Sequence, residues 1–449
     1  MRLLVIGVLM LSSLFSVALA EPPRLTLEQV IAKALASPKA DIAEGDRAAA
    51  EARVDEADAA RLPRAKATAF GTISPEIRCN EPTCVTTEPR NFALKFSGLF
   101  GSAQLDITQP VYTFGKIAHA RTAARAGLDA QRALADEAAG DLAVDAAKAY
   151  WGVKSARELS GMLDDGIDEI GKALERLGEH TGSARSKPAV SIQDRQRVAV
   201  LLAEAKVQRA EAQQAEAQAL AGLRALTGVR DADVDDATLA AVDRAVPERT
   251  SSERRPQTVA ARTGARAADE LAAMAVSQYY PDLAVVASGV LARAQGADDP
   301  PSAFANDPYN RTGAGIVVAL QWTLEPWTVA ARVERARADA LKAHAQSELA
   351  ARGARYDADN ALAEASAAHD KVAAATQGEQ AARTWVASVL QADAIGTAES
   401  KDLADAYIAW FQMRARWAAA VFQWNVAVVR LDRASGEFRA GGRRPQRNP

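Results

Sequence analysis

Gln104–Arg121 reads QLDITQPVYTFGKIAHAR, and the chain changes character inside it. On the N-terminal side, Leu99, Ala103, Leu105 and Ile107 alternate with Phe100, Ser102, Gln104, Asp106 and Thr108. A two-residue period of that kind predicts a strand. On the C-terminal side, a run rich in Ala, Arg, Asp and Glu continues without proline for roughly 60 residues, which at 1.5 Å per residue predicts a helix of roughly 95 Å. Pro110 stands at the join, where a missing N–H and a fixed φ do least harm. A short, two-faced strand feeding so long a polar helix is an unusual pairing. The rest of the chain supplies what that pairing requires.

A chain of 449 residues suggests two or three ordinary domains, yet its aromatic content is only 5% and its apolar total of 49% owes much to alanine. Alanine buries little area, so a thick globular core is hard to build from it. With Glu, Asp, Arg, Lys and Leu it is the composition of long helices packed at close distance. A net charge of −3 offers nothing to a nucleic acid. Residues 1–20 read as a secretory signal: Arg2, an apolar run Leu3–Leu19, then Ala18-Leu19-Ala20 as an A-x-A cleavage site. No Cys follows that site, and no later run is apolar for the 18 or more residues of a transmembrane helix. Cys79 and Cys84 lie in CNEPTC, where an exported protein is expected to close a local disulfide across an exposed loop.

The remaining pattern runs in order. Thr26 is placed to cap a short helix that Pro38 ends or bends, and a second helix spans Ala40–Leu62. Strands are expected at about 64–74 and 98–110, separated by a long loop. The long helix and its return form a hairpin over 115–228, with Gly178–Pro188 as the turn. Asp231–Arg255 reads as an irregular connector with one short helix. After Pro256 the same order repeats: a helix stopping before Pro281, strands at about 282–292 and 312–324, and a long helix hairpin over 326–435 broken at Ile395-Gly396-Thr397. The expected organisation is therefore a first structural repeat over 21–255 and a second over 256–435. A basic tail, 436–449, is expected to be disordered.

Four strands of about ten residues leave their edges unpaired, and in hydrocarbon only a closed barrel satisfies the backbone. About ten tilted residues is the length that crosses an outer membrane. Four strands close no barrel alone, so the chain must pool them with other copies. Aromatic residues stand near both strand ends: Phe96 and Tyr309 toward the loops, and Tyr112, Phe114, Tyr279, Tyr280, Trp322 and Trp327 toward the helices. Interfacial girdles have that distribution. A soluble sandwich with ordinary edge aromatics is the bland alternative.

From ITQPVYTFGK outward the chain resembles the TolC family of outer-membrane efflux channels, over Arg24–Ser435. The resemblance is carried by LTLEQVIAKALASP near the start, by Gln109-Pro110-Val111-Tyr112-Thr113-Phe114-Gly115-Lys116, by Ala149-Tyr150-Trp151, and by Ala330–Ala336 after the second junction. Thr323 and Thr328 depart from it, standing where the family often has Pro and Gly. It implies a mainly α fold with a small β part, in which long antiparallel coiled-coil hairpins form a tunnel. Four strands per chain would contribute to a trimeric twelve-stranded β-barrel, within an internally duplicated chain. It implies a homotrimer in outer-membrane lipid whose periplasmic tip docks to an adaptor and, through it, to an inner-membrane pump or ABC transporter. The junction of barrel and tunnel would hold Pro110, Tyr112, Phe114, Gly115, Trp322 and Trp327. The adaptor-contacting turns would hold Gly178 and Ser191, then Gly396, Thr397 and Ser400. Asp402 and Asp405, three apart on one face of the last helix, are similar to the carboxylates that ring the family's periplasmic entrance, and Asp194 matches a third. Each of the three also simply favours the N-terminus of its helix.

No catalytic set, phosphate loop or clustered metal ligands occur in the sequence, and no cofactor or metal is expected. The expected function is a passive exit duct of an efflux or secretion system. A periplasmic coiled-coil scaffold without a pore is the alternative.

Overall fold

The computed structural model describes residues 23–75, 96–179, 192–295, 310–395, 397 and 400–438. The signal peptide, the CNEPTC loop with Cys79 and Cys84, Ser191, Gly396 and the tail beyond residue 438 lie outside the described residues. The chain begins with β1 (Arg24–Leu25) and α1 (Leu27–Ala34). Thr26 caps α1 through a reciprocal box: its Oγ1 accepts from the Gln29 amide, and Gln29 Oε1 accepts from the Thr26 amide at 3.0 Å. Pro38 opens α2 (Pro38–Ala59) rather than ending α1, which stops at the Leu35 cap. A first helical position has no intrahelical partner for its N–H, so proline is at home there.

The two strands of the first half are β2 (Arg64–Pro75) and β3 (Phe96–Tyr112); α3 (Lys116–Glu179) and α4 (Ile192–Thr227) follow. The connector forms no helix. It makes β4 (Asp233–Val234), which pairs in parallel with β1. The second half carries α5 (Pro256–Ser277), β5 (Asp282–Ala294), β6 (Arg311–Gln321), α6 (Pro326–Ala394) and α7 (Ser400–Ser435). The four longer strands make one antiparallel sheet in the order β2-β3-β5-β6.

Two compact units emerge, each taking pieces from both halves of the sequence. The first comprises residues 1–41, 139–250 and 359–433. Along its part of α6, Ala361, Ala365, Ala368, Ala375, Glu379, Ala382, Val386 and Val389 are buried at spacings built from threes and fours. That is a coiled-coil seam made mostly of alanine, which lets neighbouring helices approach closely. Met162, Ile170, Leu201, Tyr407 and Phe411 fill the space where α3, α4, α6 and α7 meet. Close approach is also needed at Gly166, where an added Cβ would overlap the Phe411 ring.

The connector is also part of this unit. Lys154 Nζ donates to Asp235 Oδ1 at 2.5 Å and to the Ala237 carbonyl at 2.7 Å, and Tyr150 Oη donates to Asp235 Oδ2 at 2.8 Å. Asn425, 1% exposed, accepts from the Val242 amide and donates to the Ala240 carbonyl, both at 2.8 Å. These bonds give the extended backbone the partners that a helix or sheet would otherwise supply. Burial by itself raises the Asp235 carboxyl, but bonds from Lys154, Tyr150 and the Ala237 amide outweigh it and hold the group below the usual carboxylate range.

The second unit comprises residues 42–138, 251–358 and 434–449 and contains the sheet. Arg255 is buried at the start of α5, bonded to Asp357 at 2.8 Å and to Glu137 at 3.2 Å. It ties α5 to α3 and α6.

Candidate functional site

The register assigns every strand residue to one of two faces. Ala65, Ala67, Ala69 and Ile73 lie with Ile107, Leu105, Ala103 and Leu99, then with Val285, Ala287 and Leu291, then with Ala314, Ile316, Val318 and Leu320. Between those limits this face carries no Asp, Glu, Lys or Arg; Arg293, opposite Gly101, lies on it just beyond Leu291. Ile73, Leu99, Leu105, Leu291, Ile316, Val318 and Leu320 are all exposed on it. So large an apolar surface in water is a docking or membrane surface. The opposite face sets Lys66 against Asp106 and Thr68 against Gln104, and Gln104 Nε2 donates to Asp106 at 2.9 Å. Its β5 and β6 portion is less polar, with Val286, Ser288 and Val290 beside Val317, Gly315 and Gly313.

At the lower end of the sheet the chain turns from β3 into α3. Pro110 pairs only with Ala284 of β5, since β2 begins opposite Thr108, so no ladder bond is lost to its missing N–H. A bulge follows between Pro110 and Tyr112. Phe114 and Gly115 then take positive φ values of 50° and 95° to redirect the backbone. Gly115 suits that conformation and Phe114 does not, so the strain at Phe114 is held by its neighbours. Its ring stacks on Tyr280 at 5.5 Å and meets Tyr112 edge-on at 4.7 Å. Lys116 Nζ donates to the Tyr280 carbonyl and to Asp282, each at 2.9 Å, and fixes α3 to the α5–β5 corner. Below the turn, His119 Nδ1 lies 2.7 Å from Glu270 Oε2. Arg121 bonds Asp58, and with Arg125 at 3.4 Å it holds that carboxyl below its ordinary value.

The second junction is built differently. Trp322 Nε1 donates to the Tyr279 carbonyl at 3.2 Å, Pro326 opens α6, and Trp327 is 86% exposed. Tyr112, Phe114 and Tyr280 thus come together, Trp322 joins Tyr279, and Trp327 stands apart. Lys116 and Asp282 were not singled out from sequence as a pair. They are far apart in the chain, and only the strand register brings them together.

A model of the outer membrane efflux protein family matches residues 249–437. No curated protein matches the chain. Among solved structures, the CmeC outer membrane channel of Campylobacter jejuni aligns with a TM-score of 0.74 at 16% identity, over 91% of this chain and 85% of that one. VceC, an outer membrane protein of Vibrio cholerae, gives 0.72 at 18% identity over 91% and 96%. The open state of the MtrE outer membrane channel of Neisseria gonorrhoeae gives 0.74 at 18% over 91% and 88%. At such identities the likeness is one of fold.

The match to the outer membrane efflux protein family thus lies within residues 249–437, in the second half of the chain.

Efflux rather than catalysis is that family's activity, and its place is the outer membrane. The apolar face of the sheet is a surface that such a location requires. Because the fold likeness covers over nine-tenths of the chain, the first half shares the architecture although the family model does not reach it. No helix among the described residues is long and apolar enough to cross a membrane.

The helix ends of the first unit carry the remaining residues singled out from sequence. Asp402 lies in the first turn of α7, and Asp405 follows three residues on; both are exposed, while the neighbouring Ala404, Ala406 and Tyr407 are buried. Gly178 is the penultimate residue of α3, Ser400 opens α7, and Asp194 is the third residue of α4. Thr397 accepts no helical role: its amide and its Oγ1 both donate to the Ala392 carbonyl, at 2.9 and 3.1 Å, closing the end of α6.

Proposed function

We propose that three copies of this chain close one twelve-stranded barrel across the outer membrane and that their helices continue it as a periplasmic tunnel. The assembly is the passive exit duct of a tripartite efflux or secretion system. The observation that carries this reading is the sheet: four strands, one face apolar across its central rows, and two open edges. A lone open sheet in hydrocarbon strands its edge N–H and C=O groups, and pairing β6 with β2 of the next copy satisfies them all.

The wall then has an apolar outside and a lumen side bearing Lys66, Gln104 and Asp106. Pro110, Tyr112, Phe114, Gly115, Trp322 and Trp327 lie at the membrane's inner interface, where aromatic rings settle among headgroups. Asp402 and Asp405, with Asp194, repeat three times around the tunnel entrance. A ring of carboxylates concentrates cations and resists full closure by mutual repulsion. The turn regions holding Gly178, Ser191, Gly396, Thr397 and Ser400 meet a periplasmic adaptor, and the adaptor links them to an inner-membrane pump or ABC transporter. Energy comes from that partner.

Membrane fractionation, native mass and planar-bilayer recording test the reading together. The expected result is a detergent-extracted outer-membrane trimer that conducts. A monomer released by osmotic shock, without conductance, refutes it in favour of a pore-free scaffold.

A further inference from the structure

The two open edges of the sheet are complementary in shape. On the polar face of β2, Phe70 is 57% exposed, its ring 5.7 Å from that of Phe100. On the polar face of β6, Gly313 and Gly315 present no side chain, and a Cβ built on Gly315 meets nothing within 4 Å. One edge offers a ring and the other a gap. An aromatic side chain laid across a cross-strand glycine is an established way to restore packing in a sheet.

The register limits how a second copy can use that match. Crossing the sheet at right angles to its strands, Arg64 leads to Thr108, Thr108 to Val286, and Val286 to Val317. The next step must reach a residue of the partner's β2 on the same polar face, because a one-residue slip would turn every side chain over. Setting Val317 against Lys66 displaces the path by two residues per copy, against Thr68 by four and against Phe70 by six. With about 3.3 Å per residue and about 4.8 Å between strands, the corresponding strand tilts are about 19°, 35° and 46°. Membrane barrels tilt by about 35–45°, which removes the first. A displacement of four residues the other way sets Val317 against Ala60, before the start of β2. Of the two left, Val317 against Thr68 sets the helix-side ends flush, Gln321 opposite Arg64, whereas the steeper choice leaves Arg64 and Ala65 without a partner on β6. The flush pairing also brings Phe70 opposite Gly315. The steeper choice sets Phe70 against Val317 and leaves Gly315 opposite Thr72.

We infer, resting on the trimeric barrel proposed above, that a second copy docks its β2 antiparallel along β6 with the partner's Thr68 opposite Val317 and the partner's Phe70 filling the space over Gly315. The surface continues beyond the strand. Leu341, Leu349 and Tyr356 on α6, the helix that follows β6, are exposed along one side of an otherwise polar helix.

Cysteine pairs read the register directly in the full chain, with Cys79 and Cys84 replaced by Ser. Thr68→Cys with Val317→Cys is expected to form oxidised dimers and trimers several-fold more than Thr68→Cys with Ala319→Cys or with Gly315→Cys. Preferential linkage to Ala319→Cys overturns the inference in favour of the steeper register. Absence of all three linkages in a protein whose native mass is trimeric overturns the inference but leaves the barrel standing. A monomeric native mass overturns both. In the otherwise unmodified chain, Phe70→Ala and Gly315→Val are each expected to weaken the trimer's resistance to detergent, with linkage at the new site as a separate readout. Unchanged resistance in both variants argues against the ring-and-gap contact.

Discussion

Replacing Lys154 by Met tests whether the connector is clamped to the helices by one buried ammonium. The side chain is 4% exposed, and its Nζ makes two bonds, to Asp235 and to the Ala237 carbonyl. Methionine keeps the length and removes the charge. Asp235 would retain Tyr150 Oη at 2.8 Å and the Ala237 amide at 3.1 Å. Breaking a buried pair from one side costs about 3–5 kcal/mol. Asp235 keeps 25% of its side-chain exposure, so water can replace part of what is lost, and about 3 kcal/mol is the reasonable figure. A chain of two compact units is not expected to unfold in two states, so local opening is the quantity to measure. At about 1.4 kcal/mol per factor of ten, the Asp235 and Ala237 amides should exchange with solvent about 100-fold faster at pH 7. Amides of β3, in the other unit, serve as the internal control and should not change. The pH dependence follows from the depressed carboxyl. Its contribution is complete above the unfolded value, about 3.9, and is lost as pH falls through the lower folded value. The gap between variant and parent should therefore narrow in that acid range. Equal exchange of the two proteins at pH 7 would refute the clamp.

Three other substitutions have definite outcomes. Asp402→Ala combined with Asp405→Ala removes two carboxylates per copy from the entrance proposed above, and cation preference and block by multivalent cations should both fall in single-channel records; unchanged currents would leave these residues as ordinary helix-start acids. Arg255→Met removes one partner of Glu137, whose side chain is 12% exposed, and of Asp357, and should destabilise the second unit by about 3 kcal/mol, with Glu137→Gln recovering part of the loss in the double variant. A purely additive double variant would show that the two residues do not act as a pair. Gly166→Ala drives a methyl into the Phe411 ring, so thermal resistance of the helical unit should drop, by about 1–3 kcal/mol, and Phe411→Leu should relieve it.

Periodicity made the long elements legible. The alternation about Leu99–Thr108 marks a strand whose two faces the register keeps separate, and α4 and α7 start where their sequence signals fall. What stayed hidden has no period. Asp233–Val234 is a strand of two residues whose partner is Arg24–Leu25, and such a bridge is defined by who lies opposite, not by composition. The clamp of Lys154, Tyr150 and Asp235 was half visible: Tyr150 sat in a stretch singled out by resemblance, while its partner lay in a segment read as irregular. Pro38 was misplaced for a related reason. A proline marks a helix boundary from either side, and only the backbone says whether it closes one helix or opens the next.

The two junctions show why duplication of a pattern does not mean duplication of a mechanism. In the first, the turn stores strain at Phe114 and holds it with Tyr112, Tyr280 and the Lys116–Asp282 pair. In the second, the backbone passes from β6 to α6 with Pro326 at the helix start and one indole bond to Tyr279. The first turn leaves a central strand, β3, whose neighbours on both sides fix where it must go. The second leaves the edge strand β6, whose outer neighbour belongs to another copy in the barrel proposed above. A strained, heavily bonded turn inside the sheet and a lighter one at its edge are what such an assembly calls for: the edge must remain able to accept the next copy, while the interior must already be set when that copy arrives.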